Sequence, residues 1–246
     1  MGKQLDRKRT RNSRQYGDAE IIEFKGNKFQ NDRVLPPIKA LNPTQAQYLA
    51  ALRSSAQIVV LGPAGTGKTW LAATHAADLY RAKKIEKIIL TRPNVPCGRS
   101  LGFFPGSLQD KFAPWAVPIA DAIKERIGDG AFEIALKRGD IEMVPFEVMR
   151  GRSWKNAFIL LDEAQNTSVA EIKTFLTRVG ENCVCVVNGD VNQSDIQQAS
   201  GLRKMIDLVH ELRLPVPVIE FEIDDIVRSG LCAMWVRAFE GEGASH

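Results

Sequence analysis

Cysteine and histidine are scarce in this sequence, with four cysteines (Cys97, Cys183, Cys185, Cys232) and three histidines (His75, His210, His246). No two cysteines form a C-x-x-C pair, so a structural zinc site is not expected. Cys183 and Cys185 alternate within an apolar run and read as small hydrophobes on one face of a buried strand. Long hydrophobic runs are missing too: no stretch approaches the roughly 20 consecutive apolar residues that span a bilayer. No apolar region follows the polar, basic N-terminus, which argues against a secretory signal, and Asp6 stands where a myristoylation motif wants Ser or Thr. The expectation is a soluble, cytoplasmic protein with no membrane partner.

Acidic residues are nearly missing from the first 14 positions. Asp6 alone faces Lys3, Arg7, Lys8, Arg9, Arg11 and Arg14, a net +5 in a chain whose total is +4, so the remainder carries about −1. The basic character is therefore a tail on a nearly neutral body. Such a tail suits nucleic acid through phosphate neutralisation, and it suits a solvated, disordered end equally well.

What is present fits one folded domain: 246 residues, 44% apolar and 25% charged, enough to bury a single sizeable core. The layout read from composition is a tail over 1–20, an extended lead-in over 21–43 containing Val34-Leu-Pro-Pro37, an ordered domain over 44–240 and a C-terminal tail over 241–246. Helices are expected from Thr44 and over 68–82, 118–127, 132–137, 169–179, 202–212 and 228–239, and strands over 58–61, 88–90, 141–146, 158–161, 183–187 and 216–221. Ser168 and Glu171 form a capping box before one of these helices. The Gly-, Pro- and Phe-rich stretch 96–118 reads as a long irregular loop, a place where function concentrates. Apolar strands alternating with amphipathic helices define an α/β class with a mostly parallel sheet covered by helices on both faces.

Three motifs stand at strand ends, where such sheets bind ligands. The first, "GPAGTGKT" over 62–69, follows an apolar strand and opens a helix, the form of a phosphate-binding loop. Gly62, Gly65 and Gly67 allow the backbone to curl, and Pro63, Ala64 and Thr66 are expected to complete the nucleotide-binding cradle with them. Lys68 is placed to reach the β- and γ-phosphates, and the Thr69 hydroxyl to ligate Mg²⁺. The second, "LDEAQN" over 161–166, supplies Asp162 for the metal and Glu163 to polarise an attacking water. The third, "NGDVNQSD" over 188–195, offers Gln193 as a γ-phosphate contact, with Asp190 organising its loop. Adjacent acids beside a phosphate loop argue for hydrolysis over nucleotide storage.

Together with "TRPNVPCGRSLGFFPG" over 91–106, "MRGR" over 149–152 and "DDIVRSGL" over 224–231, these motifs make the chain resemble the PhoH-like family, P-loop ATPases related to the cores of superfamily 1 helicases. The motifs run across about four-fifths of the chain, and the 91–106 segment is the most specific because generic P-loop ATPases lack it. The resemblance implies a single RecA-like P-loop NTPase domain, ATP hydrolysis and a link to RNA metabolism. It also gives Gln45 in "NPTQAQY" the position of an adenine-recognising glutamine, although an uncommitted helix-face residue is the alternative. The sequence departs from the family where Arg99 replaces a frequent Glu and where Ser229 follows Arg228 in place of His. No nuclease or RNA-binding domain is read in it, so nuclease activity is not expected.

Arg228, in the family's last motif, is the first choice for a transition-state arginine, with Arg92, Arg150 and Arg152 as competitors. A single RecA-like domain exposes its nucleotide at an edge, which suggests a finger from a neighbouring subunit and so a homo-oligomer, with a hexameric ring as one form. In the 96–118 stretch Arg99, Phe103, Phe104, Lys111, Phe112 and Trp115 interleave cations and aromatics, suiting single-stranded RNA, a subunit interface or a cover for the core. The leading expectation is an ATPase acting on RNA as a helicase-like or remodelling enzyme. The alternative is an ATP-dependent oligomeric switch that recruits a nuclease or other partner. A small-molecule kinase leaves Asp162, Glu163 and Gln193 unexplained.

Overall fold

A computed structural model of the chain describes residues 35–93, 108–149, 151–193 and 199–228, with isolated positions beyond them, all within the unit Val34–His246. The expected tails, Arg99, Arg150 and most of the 228–239 helix lie outside the described residues. The elements run α1 (Pro43–Ser54), β1 (Gln57–Leu61), α2 (Lys68–Arg81), β2 (Lys87–Arg92), α3 (Leu108–Ile127), α4 (Asp129–Arg138), β3 (Ile141–Pro145), β4 (Ala157–Leu161), α5 (Val169–Leu176), β5 (Val184–Gly189), α6 (Gly201–Glu211) and β6 (Val218–Glu220). The six strands form one sheet in the order β3-β2-β4-β5-β1-β6, and every pairing is parallel.

Continuous apolar strands follow from burial on both faces. Alternate side chains along each strand then enter two separate cores. Ile58, Val60, Ile88, Leu90, Phe158 and Leu160 pack on one side, with Leu49 of α1, Leu71 of α2, Ile123 of α3 and Phe132 of α4. Val59, Ile89, Ile159, Leu161 and Val187 pack on the other, with Ile172 and Phe175 of α5 and Leu202 and Met205 of α6. Ala72, Ala73, Ala76 and Ala77 are fully buried, so α2 lies close against the sheet along an all-alanine stripe. Helices on both faces and a parallel sheet are the arrangement the sequence implies.

Local capping sets where the helices start. Asn42 caps α1 through its Oδ1, which accepts the Gln45 N–H at 2.7 Å. Ser168 and Glu171 form the expected reciprocal box at α5, which ends at Leu176, three residues earlier than the periodicity suggests. The larger difference is α3. Its helix begins at Leu108, inside the stretch read as irregular, and carries Pro114 and Pro118 within it. Each interior proline costs about 3 kcal/mol or more. The compensation is the buried stripe Ile119, Ala120, Ile123 and Ile127, which belongs to the first core. Cys183 is buried as expected but precedes the strand, its thiol directed at the Trp154 carbonyl at 3.4 Å.

β5 lies between β1 and β4, so the strand that enters the glycine loop and the strand that ends in Asp162 are not neighbours. Two strand spacings of about 4.8 Å separate them. What closes that gap is α2, whose first residues run back across the end of β5.

Candidate nucleotide site

The carboxyl ends of β1, β4 and β5 and the N-terminus of α2 meet at a cavity of about 670 Å³. Its floor is the loop 62–69. Gly62 adopts φ +126°, and a Cβ there would stand 2.3 Å from the Phe221 carbonyl oxygen, so backbone conformation and space both require glycine. Ala64, Gly65, Gly67, Lys68 and Thr69 line the cavity. Thr66 is fully buried beneath it, donating its hydroxyl to the Pro63 carbonyl at 3.1 Å, and Pro63 faces an adjoining cavity instead.

Lys68 Nζ donates to the Gly62 and Pro63 carbonyls at 2.5 and 2.7 Å. Burial lowers the ammonium from its ordinary range, while Asp162, Asp190 and Glu163 oppose that shift. A cation here sits among three carboxylates and the loop dipoles.

Thr69 is the residue that bridges the strands. Its hydroxyl donates to Asp162 Oδ1 at 3.0 Å, and Asn188 Nδ2 at the end of β5 lies 3.5 Å from the Thr69 hydroxyl oxygen itself. With its proton committed to Asp162, the Thr69 oxygen keeps lone pairs for another partner. Burial raises Asp162 from the ordinary carboxylate range, the Glu163 charge adds to this, and the Thr69 bond, Arg92 and Lys68 counter it. A hydroxyl beside one carboxylate suits Mg²⁺, which takes one or two protein oxygens and leaves the rest of its shell to phosphates and water. No cluster of three or more His, Cys, Asp or Glu occurs among the described residues, so nothing there competes as an all-protein metal cage.

Glu163 adopts the left-handed conformation, φ 54° and ψ 39°. A non-glycine residue held there costs about 1–3 kcal/mol and persists where its surroundings fix it. Its Oε2 accepts from Gln165 Nε2 at 2.7 Å. Across the cavity, Asp190 accepts the Asn192 N–H on Oδ1 at 3.0 Å, an Asx turn that organises the loop, and Gln193 lines the cavity from an exposed position.

Gln45 is buried at the same cavity. Its Nε2 donates to the Thr66 carbonyl at 3.0 Å and its Oε1 accepts the Leu41 N–H at 2.8 Å. It braces the loop, and each amide atom has capacity for a second bond. Arg228 reaches the loop from within the same chain: a Cβ on Gly65 would lie 3.0–3.2 Å from Arg228 side-chain atoms, and the Val227 N–H donates to the Gly65 carbonyl at 3.0 Å. Arg92 also lines the cavity, whereas Arg152 is turned away into an ion pair with Glu142. Gln165, Asn188 and the half-exposed Trp70 are site residues that motif spacing does not single out; only Trp70, directly after Thr69, carries a local signal.

A parallel sheet with helices on both faces, a glycine loop opening α2 and an acidic end on the next strand but one define an α/β P-loop NTPase. The chain belongs to the PhoH-like family, whose model matches residues 37–240. It is 39% identical over 229 residues to Protein PhoH of Escherichia coli strain K12, covering 92% of this chain and 63% of that protein. It is 40% identical over 198 residues to the PhoH-like protein of Bacillus subtilis strain 168, covering 80% and 62%. The chain thus spans a little under two thirds of the length of these relatives. Among solved structures, Pif1 helicase from Candida albicans is similar at 16% identity and a TM-score of 0.36, over 75% of this chain and 40% of that one, too remote to bear on activity.

Proposed function

We propose that this chain is an ATP hydrolase that works on RNA in the cytoplasm, with 44–240 as its working domain. The observation that carries the reading is the contact between Thr69 and Asp162 beside Lys68 and Glu163 in one cavity. The loop amides and Lys68 bind the phosphates, Thr69 and Asp162 hold Mg²⁺, and Gln45 contacts the adenine edge. Mg²⁺ supplies charge neutralisation on the phosphates when bound. Glu163 orients a water and takes its proton as the water oxygen bonds to the γ-phosphorus. The bond from that phosphorus to the bridging oxygen breaks and ADP leaves. Gln193 contacts the γ-phosphate, and Arg228 neutralises charge in the transition state from within the chain.

RNA as the partner is supported by the basic residues concentrated over 1–14, which suit phosphate neutralisation. A homo-oligomer, with a hexameric ring as one form, is the assembly this reading proposes. Arg228 already meets the loop from its own chain, so turnover by a single chain does not require a finger from a neighbour.

Substituting Glu163→Gln tests the chemistry. ATP binding should persist while turnover falls about 10²–10⁴-fold, the range general-base removal produces. Unchanged turnover would remove Glu163 from its role.

A further inference from the structure

Gln165 is a buried amide to which the proposed chemistry gives no part. It stands in the short 3₁₀ turn Ala164–Asn166 that follows β4, and only 3% of it is exposed. One end of its side chain donates from Nε2 to Glu163 Oε2 at 2.7 Å. The other end accepts the Asp190 N–H on Oε1 at 3.0 Å. A single amide group therefore joins the turn after β4 to the turn after β5.

The join is crowded on both sides. A Cβ on Gly189 would fall 2.9 Å from Gln165 Oε1 and 2.5 Å from Leu202 Cδ2, so the amide fits only beside glycine. Beyond Asp190, the bonds continue: its carboxylate accepts the Asn192 N–H and its carbonyl accepts the Gln193 N–H at 3.2 Å. The turn after β4 is also fixed to α6, because the Thr167 carbonyl accepts the Gly201 N–H at 2.7 Å and Ser200 Oγ donates to the Gln165 carbonyl at 3.4 Å.

The chemistry of the bridge restricts what could stand there. Its Glu163 end must donate and its Asp190 end must accept. A carboxylate has no donor, a lysine has no acceptor, and asparagine is one methylene shorter. Glu163 holds a left-handed backbone conformation, so its carboxylate is directed by what surrounds it and not by a relaxed local preference.

We propose that Gln165 is a positioning residue that fixes the Glu163 carboxylate and ties it to the Asp190–Gln193 turn. Contact at Gln193 and the placement of the base at Glu163 are then set together. This rests on the reading of Glu163 as the water-activating base.

The test uses the full chain and steady-state ATP hydrolysis. Gln165→Met keeps the length without charge and removes both bonds, whereas Gln165→Glu retains the acceptor toward Asp190 and replaces the donor toward Glu163 with a second, repelling carboxylate. Both should lower kcat about 10- to 100-fold, the loss that misplacing a catalytic group produces. KM for ATP should stay within about twofold, because the bonds removed position the base and do not hold the nucleotide. Gln193→Ala in the Gln165→Met background should cost less than it does in the parent, since the tie between the two turns is already cut. Parent-like kcat in Gln165→Met, a loss expressed mainly in KM, or additive Gln165 and Gln193 effects would each overturn the proposal. Glu163→Gln measured alongside separates the failures. Full turnover in that variant removes the base itself, while a dead Glu163→Gln with a parent-like Gln165→Met removes only the positioning role.

Discussion

At Gly62 the backbone and the neighbouring strand impose one requirement twice, through φ +126° and through the Phe221 carbonyl 2.3 Å from where a Cβ would stand. Gly62→Ala is expected to lose about 1–3 kcal/mol from backbone strain alone, with the clash adding to it. Urea unfolding reads that loss directly, and a variant as stable as the parent would mean that the loop relaxes at no cost. Lys68, Thr69, Asp162 and Glu163 were legible in the sequence because a fixed spacing after an apolar strand sets each of them locally. Gln165 and Asn188 were not. Each acquires its contacts only because β5 lies beside β4 and α2 crosses its end, and no local spacing encodes which strand becomes the neighbour. Gln45 stands between these cases: its helix was readable, but its brace on the Thr66 carbonyl depends on where α1 meets the loop.

Among the elements, the buried strands were the easiest to read, since apolar runs such as Phe158-Ile-Leu-Leu161 between polar turns have few alternatives. α3 was the hardest. Its second half matches the helix expected over 118–127, whereas Pro114 and a Gly-rich lead argue locally for a loop over 108–117, where the helix runs instead. β3, at the sheet edge, is held partly by charge: Glu142 bonds Lys87 on β2 at 2.6 Å and pairs with Arg152. Burial alone pushes the Glu142 carboxyl up, but the Lys87 and Arg152 bonds together outweigh it and hold the group below its ordinary 4.5. A depressed folded value stabilises the fold above pH 4.5, and that contribution is lost as pH falls through the folded value. Glu142→Gln should therefore lower the melting temperature slightly at neutral pH, with the gap to the parent closing as pH falls below 4.5 and through the depressed folded value. A gap that stayed constant through the acid range would show that the ion pairs contribute nothing pH-dependent.

For the whole molecule, the two-faced parallel sheet could be anticipated from alternating elements, and the strand order could not, because hydrophobic pattern carries no information about which strands exchange hydrogen bonds. That order places β5 between the loop strand and the acidic strand and thereby builds the cavity. Among the described residues no helix is long and apolar enough to cross a membrane. The chain covers 63% of the E. coli relative, so any activity that depends on the rest of that protein is a separate matter from the chemistry of this site. Single-stranded RNA should raise the hydrolysis rate, and a rate indifferent to RNA would favour an ATP-driven switch that recruits a partner. The central claim is tested most directly by steady-state release of phosphate from ATP by the full chain, with Mg²⁺, with a chelator, and with Lys68→Ala. The account predicts Mg²⁺-dependent release that the chelator and the substitution each abolish. ATP binding without phosphate release in any condition would contradict it.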